Sequence, residues 1–222
     1  MKLPFELRRR VYIHHTGSLM ARIPSGGLIS FPKVSKCECF GSVSTTPQPI
    51  EMPLARLCKE LRREYLYFFY FRFPLYFTCT CELYSRLQSN HTLRRTVRDL
   101  CVHWVGSDSD KAFQLLAACH SLTRLNIRIS KATTYYQTPR EQEMRMFFRA
   151  QKPARLEDAL GMDELLALRG IKSVMVSHLQ AKQGARRCEE DRSCLQTLLR
   201  SKLTLPAKTE ASVVTDVDDE NA

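Results

Sequence analysis

The chain has 222 residues, 44% of them apolar, and sets 34 Lys and Arg against 23 Asp and Glu for a formal net charge of +11 at pH 7. At roughly 150 residues per domain this allows one domain or two small ones with a real core, and gives no support to collagen, a coiled coil or a multi-span membrane protein. Met1 is followed by Lys2, Glu6 and the run Arg8-Arg9-Arg10, where a signal peptide needs an apolar stretch, so the expected location is cytoplasmic or nuclear.

Residues 3–14 read as a short amphipathic helix. Pro4 suits a first helical position, Glu6 sits near the positive end of the dipole, and Phe5, Leu7, Val11 and Tyr12 offer an apolar side. From 15 to 53 the composition changes, because these residues hold four of the eight glycines and five of the ten prolines. That density of breakers predicts a long, largely irregular insertion with a small strand at 28–31, and so long a loop in a compact domain implies a use. A second helix follows, with Leu54, Leu57, Cys58, Leu61, Tyr65, Phe68 and Phe69 at steps of three and four and Arg56, Lys59, Glu60, Arg62 and Arg63 on the remaining face. Leu7 and Val11 are expected to pack on the Leu57, Leu61 and Tyr65 stripe. Pro74 stops the helix and 75–79 reads as a strand. Nine of the twenty aromatic residues lie between Tyr65 and Phe77, a concentration that helix-to-strand packing accounts for.

Three later segments align without gaps: Val97-Arg98-Asp99-Leu100-Cys101-Val102-His103-Trp104, Leu122-Thr123-Arg124-Leu125-Asn126-Ile127-Arg128-Ile129 and Ile171-Lys172-Ser173-Val174-Met175-Val176-Ser177-His178. Each has an apolar residue, two polar ones, then apolar–polar alternation, and helix-compatible stretches at 111–119, 140–149 and 156–168 separate them. Strand followed by helix at a period near 25 residues is the pattern of leucine-rich-type solenoids, in which parallel strands stack under helices. Leu100, Val102, Leu125, Ile127, Val174 and Val176 are therefore expected in the core, on neighbouring parallel strands. Residues 185–199 predict a closing helix with Cys194, Leu195, Leu198 and Leu199 inward. The last stretch, 206–222, carries a charge of −4, which leaves +15 on the body, and reads as a disordered acidic tail.

Chemistry is sparse. Cys37 with Cys39 and Cys79 with Cys81 are too closely spaced for the usual zinc pair, and on a strand Cys79 and Cys81 would simply share a buried face. Cys119-His120, and Cys101 with His103, lack the glycine-flanked turn of a nucleophile site, and Gly26-Gly27 lacks the lysine of a phosphate-binding loop. The expectation is no enzyme, no metal and no cofactor. Basic pairs recur at Arg62-Arg63, Arg94-Arg95 and Arg186-Arg187; Arg94 and Arg95 are the candidate phosphate contacts if the body binds nucleic acid.

Two stretches read together carry a resemblance. Leu3-Pro4-Phe5-Glu6-Leu7-Arg8-Arg9-Arg10-Val11-Tyr12 and Leu54-Ala55-Arg56-Leu57-Cys58-Lys59-Glu60-Leu61-Arg62-Arg63-Glu64 resemble the two signatures of a large group of fungal F-box-like proteins, mostly uncharacterised, each built on a Glu-x-Arg core. The resemblance implies a non-enzymatic protein-interaction module. Its amino-terminal helices would dock on a Skp-type ubiquitin-ligase adaptor through Leu3, Pro4 and Leu7, and its later repeats would hold a substrate. The signature residues Glu6, Arg8, Glu60 and Arg62 would alternatively be structural, tying the two helices together through ion pairs. The expected fold is α/β, with α+β the alternative. Residues 1–72 would be an F-box-like helical region containing the 15–53 insertion, and 73–205 a leucine-rich-like α/β region ahead of the tail. The competing function is a basic RNA-binding or chromatin-associated protein.

Overall fold

The computed structural model describes residues 3–20, 29–30, 39, 53–148, 155–179 and 186–206. Its framework is a parallel sheet of five strands in chain order: β1 (Ile29–Ser30), β2 (Leu75–Phe77), β3 (Asp99–His103), β4 (Arg124–Ile129) and β5 (Ser173–His178). Parallel neighbours need a crossover, and helices supply it. They are α3 (Thr80–Ser89) and α4 (His91–Thr96) between β2 and β3, α5 (Ser109–Ala117) between β3 and β4, and α6 (Pro139–Phe148) and α7 (Met162–Ala167) between β4 and β5. α1 (Phe5–Met20) opens the chain, α2 (Lys59–Arg72) precedes β2, and α8 (Arg186–Leu203) packs on β5. The class is α/β. Among the described residues no helix is long and apolar enough to cross a membrane.

The ungapped alignment of the three segments reappears as sheet register. Leu100 pairs with Leu125 and Leu125 with Val174; Val102 pairs with Ile127 and Ile127 with Val176; Leu75 and Phe77 of β2 extend both rows. All eight side chains are buried in one core with Tyr65, Phe69, Leu83, Leu87, Phe113, Leu116, Leu165 and Leu199 from the helices. Side chains alternate between faces along a strand, so the residues between these rows fall on the opposite face. There Tyr76, Cys101, Asn126 and Met175 form a row that runs from buried at β2 to 53% exposed at Met175 on β5.

Several boundaries depart from expectation. The first helix runs on through Gly17 to Met20, since no proline falls between 15 and 20, and the Thr16 hydroxyl donates back to the Tyr12 carbonyl at 2.6 Å. A short strand does lie at Ile29–Ser30, while most of the expected insertion and residues 207–222 of the expected tail lie outside the described residues. Leu57 and Cys58 are not core: Leu57 is 66% exposed, and Cys58 is the N-cap of α2, its thiol accepting from the Leu61 N–H. Cys79 and Cys81 do not share a strand face. Cys79 caps α3 by accepting the Glu82 N–H, and the Glu82 carboxylate takes both the N–H and the hydroxyl of Thr78, much like a capping box in which a thiol replaces the hydroxyl. The 156–168 helix is divided into a 3-10 turn at Leu156–Asp158 and α7. Gly161 between them has φ +89°, and a Cβ there would lie 2.8 Å from the Ser109 backbone. In α8 the inward stripe is Leu195, Leu199 and Leu203, whereas Cys194 and Leu198 are exposed.

Candidate functional site

Two helices from either side of the long intervening segment meet at one carboxylate. Arg8 of α1 places Nε 2.9 Å from Glu64 Oε2 of α2 and donates from Nη2 to Oε1 at 3.2 Å, while the Tyr12 hydroxyl donates to Oε2 at 3.0 Å. Arg8 Nη1 also donates to the Leu3 carbonyl at 2.7 Å, which anchors the start of the chain. The hydrogen bond to Glu64 is the main reason the Arg8 pKa is raised. Burial, followed by that same carboxylate, pushes the Tyr12 phenol up to about 12. The Tyr12 ring stands edge-on to Tyr65 at 5.4 Å between centroids and packs on Phe68 at 5.9 Å.

This junction differs from the one expected. A bond between the signatures runs from Arg8 to Glu64, a residue outside the expected set, and Glu6, Glu60 and Arg62 lie at the surface. Tyr12 is the α1 residue buried against α2, while Leu7 and Val11 stay 44% and 47% exposed. The sequence signal was present: Arg8, Tyr12 and Thr16 recur at steps of four, and a tyrosine four residues after an arginine can close on one acceptor.

The junction is flanked by two clefts. One, of about 490 Å³, is walled by Phe5, Tyr12, Tyr67, Phe68 and Phe71, with Arg9, Glu60, Arg63 and Glu64 at its margins. The other, of about 550 Å³, lies between Leu3, Val11 and Tyr12 on one side and Leu54, Leu57 and Leu61 on the other. Of the three candidate partner-binding residues, Leu3 lines the second cleft, Pro4 is exposed with its carbonyl accepting the Arg8 N–H, and Leu7 is exposed on α1. Phe5, Val11, Ile13, Leu57, Tyr67 and Phe71 add to the same exposed apolar surface.

A third cleft, of about 450 Å³, opens at the N-terminal ends of β3, β4 and β5 and is basic. Arg72, Arg98, Arg124 and Lys172 line it with Phe71, Asp99, Thr123 and Ser173. Arg124 pairs with Asp99 at 2.9 Å and the Arg98 guanidinium stacks 4.6 Å over the Phe71 ring. Burial raises the Asp99 pKa against the opposing pull of Arg124. Arg94 and Arg95, the candidate phosphate contacts, are on α4 and do not line this cleft. The missed signal is the polar pair that follows the first apolar residue of each aligned segment, which brings Arg98, Arg124 and Lys172 together once the strands stack.

Two of the thiols singled out in the sequence, Cys101 and Cys119, are buried. Burial pushes the Cys101 thiol up to about 11 and the Cys119 thiol up to about 12, so neither ionises near neutral pH. His120 beside Cys119 is exposed. Among the described residues no group of His, Cys, Asp and Glu is arranged to hold a metal ion. Comparison of the chain with protein-family models, with curated proteins and with solved structures found no match.

Proposed function

We propose that the chain is a non-enzymatic protein-interaction module of the F-box-like kind. In this reading α1 and α2 form the docking unit for a Skp-type adaptor, and the parallel strands with their helices are leucine-rich-like repeats that present a substrate-holding face inside the cytoplasm or nucleus. The observation that carries it is the pair of apolar clefts on either side of the Arg8–Glu64 junction, because adaptor docking buries an apolar helical surface. Leu3 and Leu57 face one of those clefts without filling the main core. Leu3→Ala with Leu57→Ala should therefore abolish co-purification of the adaptor while leaving the melting transition in place. Adding Pro4→Ala tests the chain start as well. An intact fold that retains no Skp-type adaptor in any form of the chain rejects this reading.

The basic cleft favours a second reading, recognition of a nucleic-acid backbone. Its four cations face one carboxylate, and Phe71 beneath Arg98 supplies an aromatic face.

A further inference from the structure

Among the described cysteines, three stand apart by where their sulfurs meet. Cys79 caps α3, Cys81 sits in its first turn, and Cys39 brings its Sγ to 3.5 Å from that of Cys81 across 42 positions of sequence. All three are buried in a small cluster with Val105, separate from the main core. We infer that Cys39 and Cys81 are a hydroperoxide-oxidised thiol pair, in which Cys81 is the attacking sulfur and Cys39 closes the disulfide.

The surroundings of Cys81 are those of a stabilised thiolate. Its sulfur lies near the Cys79 thiol, the backbone N–H of Asp108, the Cys39 thiol and the Ser107 hydroxyl, the last at 3.7 Å, all at the N-terminal end of α3. The Cys79 thiol is the strongest of these influences, and the donors together outweigh burial and hold the Cys81 thiol down to about 5. In Cys101 and Cys119 burial wins and the thiols are pushed up. Only glycine fits at 106: its φ is +139°, and a Cβ there would lie 2.6 Å from Cys81 Sγ and 3.2 Å from Cys39 Sγ. That backbone strap is fixed by the Thr80 N–H on the Val105 carbonyl at 3.0 Å and by the Ser109 hydroxyl on the Gly106 carbonyl at 2.8 Å.

Closure of the site selects the oxidant. With Cys81 almost fully buried, a bulky disulfide cannot reach it, whereas hydrogen peroxide is close to water in size. The Cys81 thiolate attacks one oxygen of hydrogen peroxide, the O–O bond breaks, and the departing hydroxide takes a proton to leave as water, giving a sulfenic acid. Cys39 then loses its proton and attacks the Cys81 sulfur. The S–O bond breaks, a second water leaves, and two electrons have passed from two thiols to one peroxide. Cys39 rather than Cys79 completes the bond because Cys79 is engaged as the helix cap. The Cys39 sulfur must close only about 1.5 Å to reach disulfide length.

The test uses the full, reduced chain with hydrogen peroxide at stoichiometric concentration and neutral pH. Expected is the loss of two of its nine thiols and a non-reducing peptide map dominated by Cys39 joined to Cys81, a link that disappears when the chain is unfolded with a thiol reductant before mapping. Cys39→Ser should instead accumulate a sulfenic acid on Cys81, read by mass spectrometry as one added oxygen on the Cys81 peptide. Its rate of formation should be nearly flat between pH 6 and 8, where an unperturbed thiol would speed up about 75-fold. Cys79→Ser should restore much of that pH dependence while leaving Cys39 able to crosslink. Oxidation confined to the exposed Cys58 and Cys194, with Cys39 and Cys81 still reduced in the folded chain, overturns the inference. If Cys39→Ser fails to fold, the peptide map of the unaltered chain still decides it.

Discussion

At the scale of single residues, two buried polar groups make opposite demands. His103 is neutral in the fold because burial pushes its imidazole down to about 4, with Arg128 and His178 adding to the effect against the Thr78 carbonyl. Its Nε2 lies 2.9 Å from Ser130 Oγ, which also accepts the Ala132 N–H. Since the folded value lies below the unfolded value of 6.5, the unfolded chain binds more protons between the two. Stability is thus complete above pH 6.5 and falls as pH drops toward 4, by on the order of 3 kcal/mol for this group. Thermal melts at pH 7 and pH 4.5 should show that loss, and His103→Gln should shrink the difference. Tyr65 behaves otherwise. Its hydroxyl is buried and, among the described residues, has no hydrogen-bond partner, and burial alone pushes its phenol up to about 12. Tyr65→Phe should be neutral or stabilising, whereas Tyr12→Phe strands part of the Glu64 carboxylate and should cost about 1–2 kcal/mol in urea unfolding.

At the scale of elements, α2 shows how far periodicity carries and where it stops. The stripe was readable from Leu61 onward, and Tyr65 and Phe69 are indeed buried, with Leu61 and Phe68 half-buried beside them. Its first turn was not, because a 3-10 turn at Pro53–Arg56 and the cap at Cys58 reset the helical phase and leave Leu57 outside. Phe69→Ala should cost about 3–5 kcal/mol, Leu61→Ala about 1–2 kcal/mol and Lys59→Ala nothing measurable in denaturant titration. Comparable losses at Lys59 and Phe69 would mean that the inward face is another one. Strands β3 to β5 were the most legible elements, since alternation of period two over eight residues leaves one choice of buried face. By contrast α3 and α4 were invisible. Their starts are a cysteine cap and an asparagine, Asn90, that ends one helix and opens the next by accepting the Leu93 N–H at 3.0 Å, and a thiol cap carries no familiar signal.

At the scale of the whole molecule, the proposed functions diverge in the forces they use. Adaptor docking on the α1–α2 clefts is apolar and should change little between 0.05 and 0.3 M salt, while binding through the basic cleft should weaken steeply. The site residues were harder to read than the fold because convergence depends on tertiary stacking: Arg98, Arg124 and Lys172 are scattered in sequence and meet only once β3, β4 and β5 align. Consecutive arginines such as Arg94-Arg95 are conspicuous in sequence yet lie on a helix outside the cleft. This difference gives a decisive measurement with a random single-stranded RNA. Arg98→Ala combined with Lys172→Ala should lower affinity and flatten the slope of log affinity against log salt by roughly 0.7 for each phosphate no longer neutralised. Arg94→Ala with Arg95→Ala should leave both unchanged. Because Arg98 also stacks on Phe71 and sits between β2 and β3 in sequence, the double variant is paired with Lys172→Ala alone, which touches no ring. If RNA binding survives both variants with its salt slope intact, the basic cleft is not a phosphate site; the +15 body then acts only as a diffuse field that speeds encounter, and the apolar α1–α2 surface remains the better account of what this chain binds.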